Sequence, residues 1–75
     1  MTSTRLSSRS LSSVAYRPEL ELLRIEFTSG EVYYYSGVPE AVHSHLLHAE
    51  SKGRYFNQSI RNHVPYEKAN AVPKN

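Results

Sequence analysis

The sequence contains no cysteine, no tryptophan and no aspartate, and it lacks a long apolar run. Without cysteine, neither a disulfide nor a thiolate zinc site is available to support so small a domain. The apolar stretches are far shorter than the roughly 20 residues that a membrane-spanning helix needs. The lack of cysteine also fits the reducing environment of the cytoplasm. We therefore expect a cytoplasmic protein that has no contact with a membrane.

The length of 75 residues is enough for one domain and leaves no room for a second core. We expect flexible ends at residues 1–5 and 67–75, which flank a single domain over residues 6–66. A chain of this length buries only about 60% of the surface that it exposes when unfolded. Extra burial in a homodimer is therefore an alternative to the monomer that we expect. The net charge of +2 is much weaker than that of a strongly basic DNA-binding domain.

The pattern of apolar residues predicts an α+β fold that begins with a three-stranded antiparallel β-meander. The predicted strands cover residues 13–17, 21–28 and 31–36. In the middle strand, Leu23, Ile25 and Phe27 alternate with a second set of residues that includes Arg24. Such alternation is typical of a strand with one buried face.

Three consecutive tyrosines in the third strand raise the question of which rings join the core. A three-residue hairpin turn commonly ends in a left-handed residue, and Gly30 stands at that place. This turn puts Tyr33 and Tyr35 on the apolar face and leaves Tyr34 on the other face. A two-residue turn would reverse the arrangement. We favour the three-residue turn because it lets two tyrosines cover the apolar residues.

Two helices are predicted after the meander, one over residues 39–50 that packs on the sheet and a short one over residues 57–62. Pro39 suits the first helical position, where a missing N–H costs nothing, and Gly53 suits a left-handed stop. Asn57 is a candidate N-cap for the short helix. The predicted core consists of Leu23, Ile25, Phe27, Tyr33, Tyr35, Val42, Leu46, Ala49, Phe56 and Ile60.

The order of these motifs resembles the KTSC domain, a family named for a segment at the C-terminus of some lysyl-tRNA synthetases. The family also occurs as small stand-alone bacterial proteins. The resemblance extends over about residues 6–66, and Arg17 is a departure where the family usually carries an acid. The matching motif residues are Tyr33, Tyr35, Val38, Pro39, Ser51, Gly53, Phe56, Asn57, Ile60 and Arg61. The resemblance implies this fold, and the synthetase attachment suggests RNA binding.

Candidate nucleic-acid contacts are aromatic or basic side chains outside the predicted core. Tyr34 is the predicted exposed ring for stacking, whereas Tyr33 and Tyr35 are assigned to core packing. Arg54 and Arg61 flank the short helix and are expected to meet one phosphate backbone. An ordinary solvated charged face is the alternative. The full candidate set is Arg24, Tyr34, Lys52, Arg54, Tyr55 and Arg61.

The sequence predicts no metal site and no catalytic site. His45 and His48 share one side of the first helix, but His43 lies on the opposite flank of the apolar stripe, so the ligands that zinc needs do not converge. The sequence has no Gly-rich phosphate loop, and its serines stand where capping or flexible ends explain them. We therefore expect a non-catalytic module without a metal or another cofactor. RNA or tRNA is one expected partner, and another protein that meets exposed aromatic residues is the alternative.

Overall fold

A computed structural model describes residues 3–69 of the chain. It is an α+β fold in which five antiparallel strands form one sheet in the order β1-β2-β3-β4-β5. The strands are β1 (Ser3–Arg5), β2 (Leu11–Arg17), β3 (Leu22–Phe27), β4 (Val32–Tyr35) and β5 (Tyr66–Lys68). The helices are α1 (Glu40–His48) and α2 (Lys52–Ser59), and a single 3-10 turn (Pro18–Leu20) follows β2. Within residues 3–69, no helix is long and apolar enough to cross a membrane.

The structure corrects the predicted strand number from three to five. The two additional strands, β1 and β5, lie at least partly in the segments that we expected to be flexible ends. Each has only three residues, all exposed, so neither shows the alternation that marks a half-buried strand. Backbone pairing with β2 and β4 creates them. The rest of the predicted flexible ends, residues 1–2 and 70–75, lies outside the described residues.

The hairpin between β3 and β4 confirms the predicted three-residue turn. The Phe27 amide donates to the Glu31 carbonyl, and the Gly30 amide donates to the Phe27 carbonyl, both over 2.9 Å. Gly30 has a φ angle of 97°, in the left-handed region that favours glycine. The resulting register pairs Ile25 with Tyr33 and places Tyr35 opposite Leu23, as predicted.

The second helix begins earlier than predicted, and its capping differs. It starts at Lys52, and the Ser51 side chain is the N-cap, accepting from the Arg54 amide over 3.4 Å. Gly53 and Asn57 are therefore internal to α2, so Gly53 is not a helix stop and Asn57 is not an N-cap. The first helix begins after Pro39, which occupies the N-cap position rather than the first helical position.

Both helices pack on the sheet face that carries the alternating apolar residues of β3. The buried cluster includes the predicted core residues Leu23, Ile25, Tyr35, Leu46, Phe56 and Ile60. Phe27, Tyr33 and Val42 pack against it half-buried, and the predicted core residue Ala49 lies half-buried after the end of α1. Leu11, Val14 and Val38 also belong to this core, and they were absent from the predicted set.

The opposite sheet face carries the other half of each alternating strand. One row across this face consists of Ala15, Arg24, Tyr34 and Glu67, paired in register from β2 to β5. Since both described helices pack on the first face, we call this second surface the open face of the sheet.

Candidate functional site

A cleft of about 680 Å³ opens on the helix side of the sheet, between the tip of the β3–β4 hairpin, the end of α2 and β5. Five aromatic rings line it, and polar and charged side chains surround them. We call it the aromatic cleft. Its lining residues are Arg9, Ser10, Phe27, Thr28, Ser29, Glu31, Tyr33, Tyr35, Phe56, Asn57, Arg61, Asn62 and Tyr66.

The rings reach one place because strand alternation and cross-strand pairing align them. Tyr33 and Tyr35 are two apart on β4 and so share a face, and Tyr66 of β5 lies directly opposite Tyr35. Phe56 of α2 meets Tyr35 edge to face, with 5.2 Å between ring centroids. Phe27 meets both Phe56 and Tyr33 in the same manner, at 5.5 and 5.7 Å. These edge-to-face contacts are favourable for aromatic pairs and stabilise the floor of the cleft.

Two segments that carry arginine are attached to the rim of the cleft. The loop before β2 is held against the hairpin because the Thr28 hydroxyl donates to the Arg9 carbonyl over 2.9 Å. The Thr28 amide donates to the Ser10 carbonyl over the same distance. In the turn after α2, the Arg61 amide donates to the Phe56 carbonyl over 2.9 Å. The two arginines are therefore positioned by backbone contacts.

The rim of the cleft carries more positive than negative charge. Glu31 is its one carboxylate, and the Lys68 ammonium lies 2.8 Å from that carboxylate. This partner holds the pKa of Glu31 below its ordinary value through a hydrogen bond and charge attraction. Within residues 3–69, neither Arg9 nor Arg61 takes part in an ion pair. The cleft therefore presents two positive charges whose counter-ions the described residues do not supply.

The hydroxyl of Tyr35 is held in its neutral form. Burial raises the pKa of Tyr35 to about 12, and the neighbouring Tyr33 and Tyr66 act in the same direction. The positive charge of Arg61 opposes this increase in the pKa of Tyr35. At neutral pH the phenol is a hydrogen-bond donor or acceptor beside a positive charge.

The predicted contacts Arg24 and Tyr34 lie on the open face of the sheet, away from the aromatic cleft. They face each other in register between β3 and β4, as the hairpin predicted. Tyr34 is half-buried rather than freely exposed. Among the described tyrosines Tyr66 is the most exposed, and it lies on the cleft side of the sheet, opposite Tyr35. The structure thus separates these two residues from the remaining candidates.

The other predicted contacts on α2 also lie apart from the cleft. Arg54 and Tyr55 line a separate small depression beside α2, and neither of them lines the cleft. The Lys52 ammonium donates to the Ala49 carbonyl over 3.1 Å. The helix ends at Ser59, so Arg61 does not continue the helical row of Arg54. Of the six candidates only Arg61 lines the aromatic cleft.

The residues of the recognised motif divide into structural and cleft-lining groups. Val38 and Ile60 are buried, and Ser51 caps α2. α2 passes close to the loop before β2 at Gly53, where an added Cβ would lie 3.4 Å from the Ser10 hydroxyl oxygen, at the short end of ordinary contact. The cleft-lining group is Tyr33, Tyr35, Phe56, Asn57 and Arg61.

Arg9, Asn62 and Tyr66 are among the cleft residues that sequence reasoning missed. Asn62 has a φ angle of 66°, a left-handed conformation that asparagine tolerates, and it lies in the turn after α2. Tyr66 lies in a strand of only three residues, which is too short to show an alternating pattern that would predict pairing with β4. Among residues 3–69, no group of three or more histidine or acidic side chains is placed to hold a metal ion.

Comparison with known proteins identifies the family. The sequence pattern of the KTSC domain matches residues 7–66. An uncharacterized protein of Stutzerimonas stutzeri is 48% identical over 61 residues, which cover 81% of this chain and 86% of that protein. A crystal structure of a KTSC domain protein from Yersinia pestis has a TM-score of 0.89 and 33% identity, covering 92% of this chain and 97% of the other. The chain belongs to the KTSC domain family, which confirms the resemblance drawn from the motif residues.

A similar segment also occurs within a much larger protein. A lysine–tRNA ligase of Nostoc sp. is 42% identical over 52 residues, which are 69% of this chain but only 9% of the ligase. The similarity therefore concerns the KTSC segment and not the rest of the ligase.

Proposed function

We propose that this KTSC domain is a non-catalytic module that binds single-stranded RNA at the aromatic cleft. The observation that carries the proposal is the combination of five aromatic rings with two arginines that have no acidic partner among the described residues. Single-stranded nucleic acids are commonly bound by aromatic rings that stack on bases and by positive charges that follow the backbone. The similar segment in a lysine–tRNA ligase agrees with an RNA partner.

The charge of the cleft supports an anionic ligand. Arg9 and Arg61 stand on two different segments of the rim, and the rim carboxylate Glu31 is neutralised by Lys68. An arginine guanidinium donates two parallel hydrogen bonds to phosphate oxygens, which suits a sugar–phosphate backbone that crosses the cleft.

The titratable groups of the cleft support binding rather than catalysis. General acid–base chemistry needs a group whose pKa lies near the working pH. The pKa of Tyr35 is raised to about 12, and that of Glu31 is lowered by Lys68. The first therefore keeps its proton and the second remains ionised near neutral pH, so neither is suited to exchange a proton with a substrate.

The proposal is tested by NMR titration of the labelled protein with a short single-stranded RNA of mixed sequence at low and moderate salt. We expect the amides around Arg9, Asn57, Arg61 and Tyr66 to shift, and affinity to fall with salt at a log–log slope of about 0.7 for each phosphate contact. Replacing both Arg9 and Arg61 with alanine should reduce that slope by about 1.4, since two contacts are lost. The matched control is Arg54→Ala, which removes the same charge from an α2 residue that does not line the cleft.

Two results would count against the proposal. If Arg54→Ala weakens binding as much as Arg61→Ala, the attraction is a general effect of charge and not of the cleft. If no amide moves at low salt, RNA is not the ligand. A protein partner that packs on the exposed ring of Tyr66 would then be the better candidate, and its affinity should depend little on salt.

A further inference from the structure

We propose, on the basis of the RNA-binding function proposed above, that the aromatic cleft holds one unpaired nucleotide at a time. Its base would stack on Tyr66, its phosphate would contact Arg61 or Arg9, and its polar edge would meet asparagine amides. The ligand is thus a single nucleotide unit of an RNA end, loop or bulge, and not a continuous stacked strand. Three observations point to this size and chemistry.

The number of available rings limits stacking to one base. Phe56 contacts both Phe27 and Tyr35 edge to face, and Tyr35 and Phe56 are only 4% and 2% exposed. Tyr33 is half-buried between neighbouring rings. Tyr66 alone among the five is largely exposed, at 57%. A single exposed ring provides a stacking face for a single base.

The dimensions and charges of the cleft agree with a mononucleotide. Its volume of about 680 Å³ falls within the roughly 300–1,000 Å³ that is usual for sites of small ligands. Arg9 and Arg61 belong to two different segments of the rim, the loop before β2 and the turn after α2. The phosphates on the two sides of one nucleotide would then meet different arginines.

Amide side chains supply hydrogen-bonding groups for the edge of the base. Asn57 of α2 and Asn62 of the following turn both line the cleft and both are exposed. An asparagine amide has two donor hydrogens and one acceptor oxygen, and each of these groups has a counterpart on the Watson–Crick edge of a base. Such an edge is free only when the nucleotide is unpaired, which excludes a regular duplex as the ligand.

The test compares adenosine 5′-monophosphate, adenosine, inorganic phosphate and a single-stranded adenosine pentanucleotide in NMR titrations of the full chain. We expect the monophosphate to saturate the shifts of the Tyr66, Asn62 and Arg61 amides. Adenosine and phosphate should each bind more weakly at the same amides. Nuclear Overhauser effects between the base protons and the Tyr66 ring protons should be visible in the unmodified protein.

Variants separate stacking from other effects of Tyr66. Tyr66→Ala should weaken monophosphate binding about 5- to 150-fold, the factor that corresponds to one stacked base. Tyr66→Phe keeps the ring and should bind as the parent does. Tyr34→Ala removes a tyrosine from the open face and should leave affinity unchanged.

The outcomes distinguish this inference from the RNA-binding function itself. If the pentanucleotide binds and depends on Arg9 and Arg61, but the monophosphate does not saturate the cleft amides, the single-nucleotide site is wrong and RNA binding remains. Equal binding of inorganic phosphate and the monophosphate would contradict the proposal that the base stacks on Tyr66. An absence of contacts between the base and Tyr66 would contradict it as well. If neither the pentanucleotide nor the monophosphate binds, both proposals are wrong.

Discussion

The imidazole of His43 on α1 is stacked on the ring of Tyr16 on β2, with 4.5 Å between centroids and 20° between the ring planes. The same tyrosine donates its hydroxyl to the Val38 carbonyl, just before α1 begins. Tyr16 therefore connects the sheet to the first helix by stacking and by a hydrogen bond, and the imidazole is partly removed from water.

This stack predicts that protonation of His43 destabilises the fold. Burial lowers the pKa of His43 below its ordinary value, and the nearby carboxylate of Glu40 opposes that effect only in part. The folded state then binds the proton less tightly than the unfolded chain. The stability that His43 contributes is present above the ordinary imidazole pKa of about 6.5, and is lost as the pH falls through that value towards the lower folded pKa.

Urea unfolding at about pH 7.5 and about pH 5 measures this effect. The matched variant is His43→Phe, which keeps an aromatic ring beside Tyr16 but cannot titrate. We expect the parent to lose more stability than the variant between the two values, since all other titratable groups are common to both. An equal loss in the two proteins would contradict the assignment to His43.

The hydrogen bond of Tyr16 has its own predicted contribution. Tyr16→Phe keeps the stack with His43 but removes the donor to the Val38 carbonyl, and it should lower the free energy of unfolding by about 0.5–1.5 kcal/mol. Tyr34→Phe is the control, because within residues 3–69 the Tyr34 hydroxyl makes no hydrogen bond. Chemical denaturation of both variants would show the difference, and an equal effect would argue against this bond.

Leu11 is a core residue that sequence reasoning omitted, and its truncation should be costly. Its side chain is fully buried, so Leu11→Ala should lower the free energy of unfolding by about 2–5 kcal/mol through lost burial and a new cavity. Leu20→Ala makes the same chemical change at a residue that is 58% exposed, and it should stay within about 0.5 kcal/mol of the parent. Thermal or urea unfolding distinguishes them, and similar effects would show that Leu11 is not in the core.

The glycines of the hairpin and of α2 should respond differently to alanine. At Gly30 the φ angle of 97° is unfavourable for any side chain although no atom lies within 4 Å, so Gly30→Ala should cost about 1–2 kcal/mol. Gly53 lies within α2, where alanine gains about 1 kcal/mol in helix propensity and its Cβ would come no closer than 3.4 Å to Ser10. Gly53→Ala should therefore be the milder change in urea unfolding. The reverse order would contradict the turn assignment.

The ion pair at the rim of the cleft predicts a change in carboxylate titration. Lys68→Ala should raise the pKa of Glu31 towards its ordinary value, because the ammonium lowers that pKa through a hydrogen bond and charge attraction. The pair's contribution to stability is present above the ordinary glutamate pKa of about 4.3 and is lost as the pH falls through the lower folded pKa. NMR titration of the Glu31 carboxyl group tests this. Lys52→Ala is the control, because Lys52 contacts Ala49 instead.

Local signals in the sequence were enough to predict the central part of the fold. The alternation around Ile25 and the glycine at position 30 are short-range features, so they determined the hairpin register and the faces of Tyr33 and Tyr35. The motif residues also determined the family. Helix boundaries were less predictable, because the competing capping residues Ser51 and Asn57 are both good N-caps and only the packed structure selects between them.

The candidate site depended on tertiary structure. Tyr66 is 31 positions after Tyr35, and its strand is too short and too exposed to be stable alone, so only pairing with β4 brings the two rings together. The same is true of Arg9, whose loop is held to the hairpin by hydrogen bonds from the Thr28 hydroxyl and amide. The sequence by itself determined which strand residues share a face, because alternation is a property of neighbouring residues. The tertiary structure decided which distant segments complete the cleft, because their contacts form only when the chain has folded.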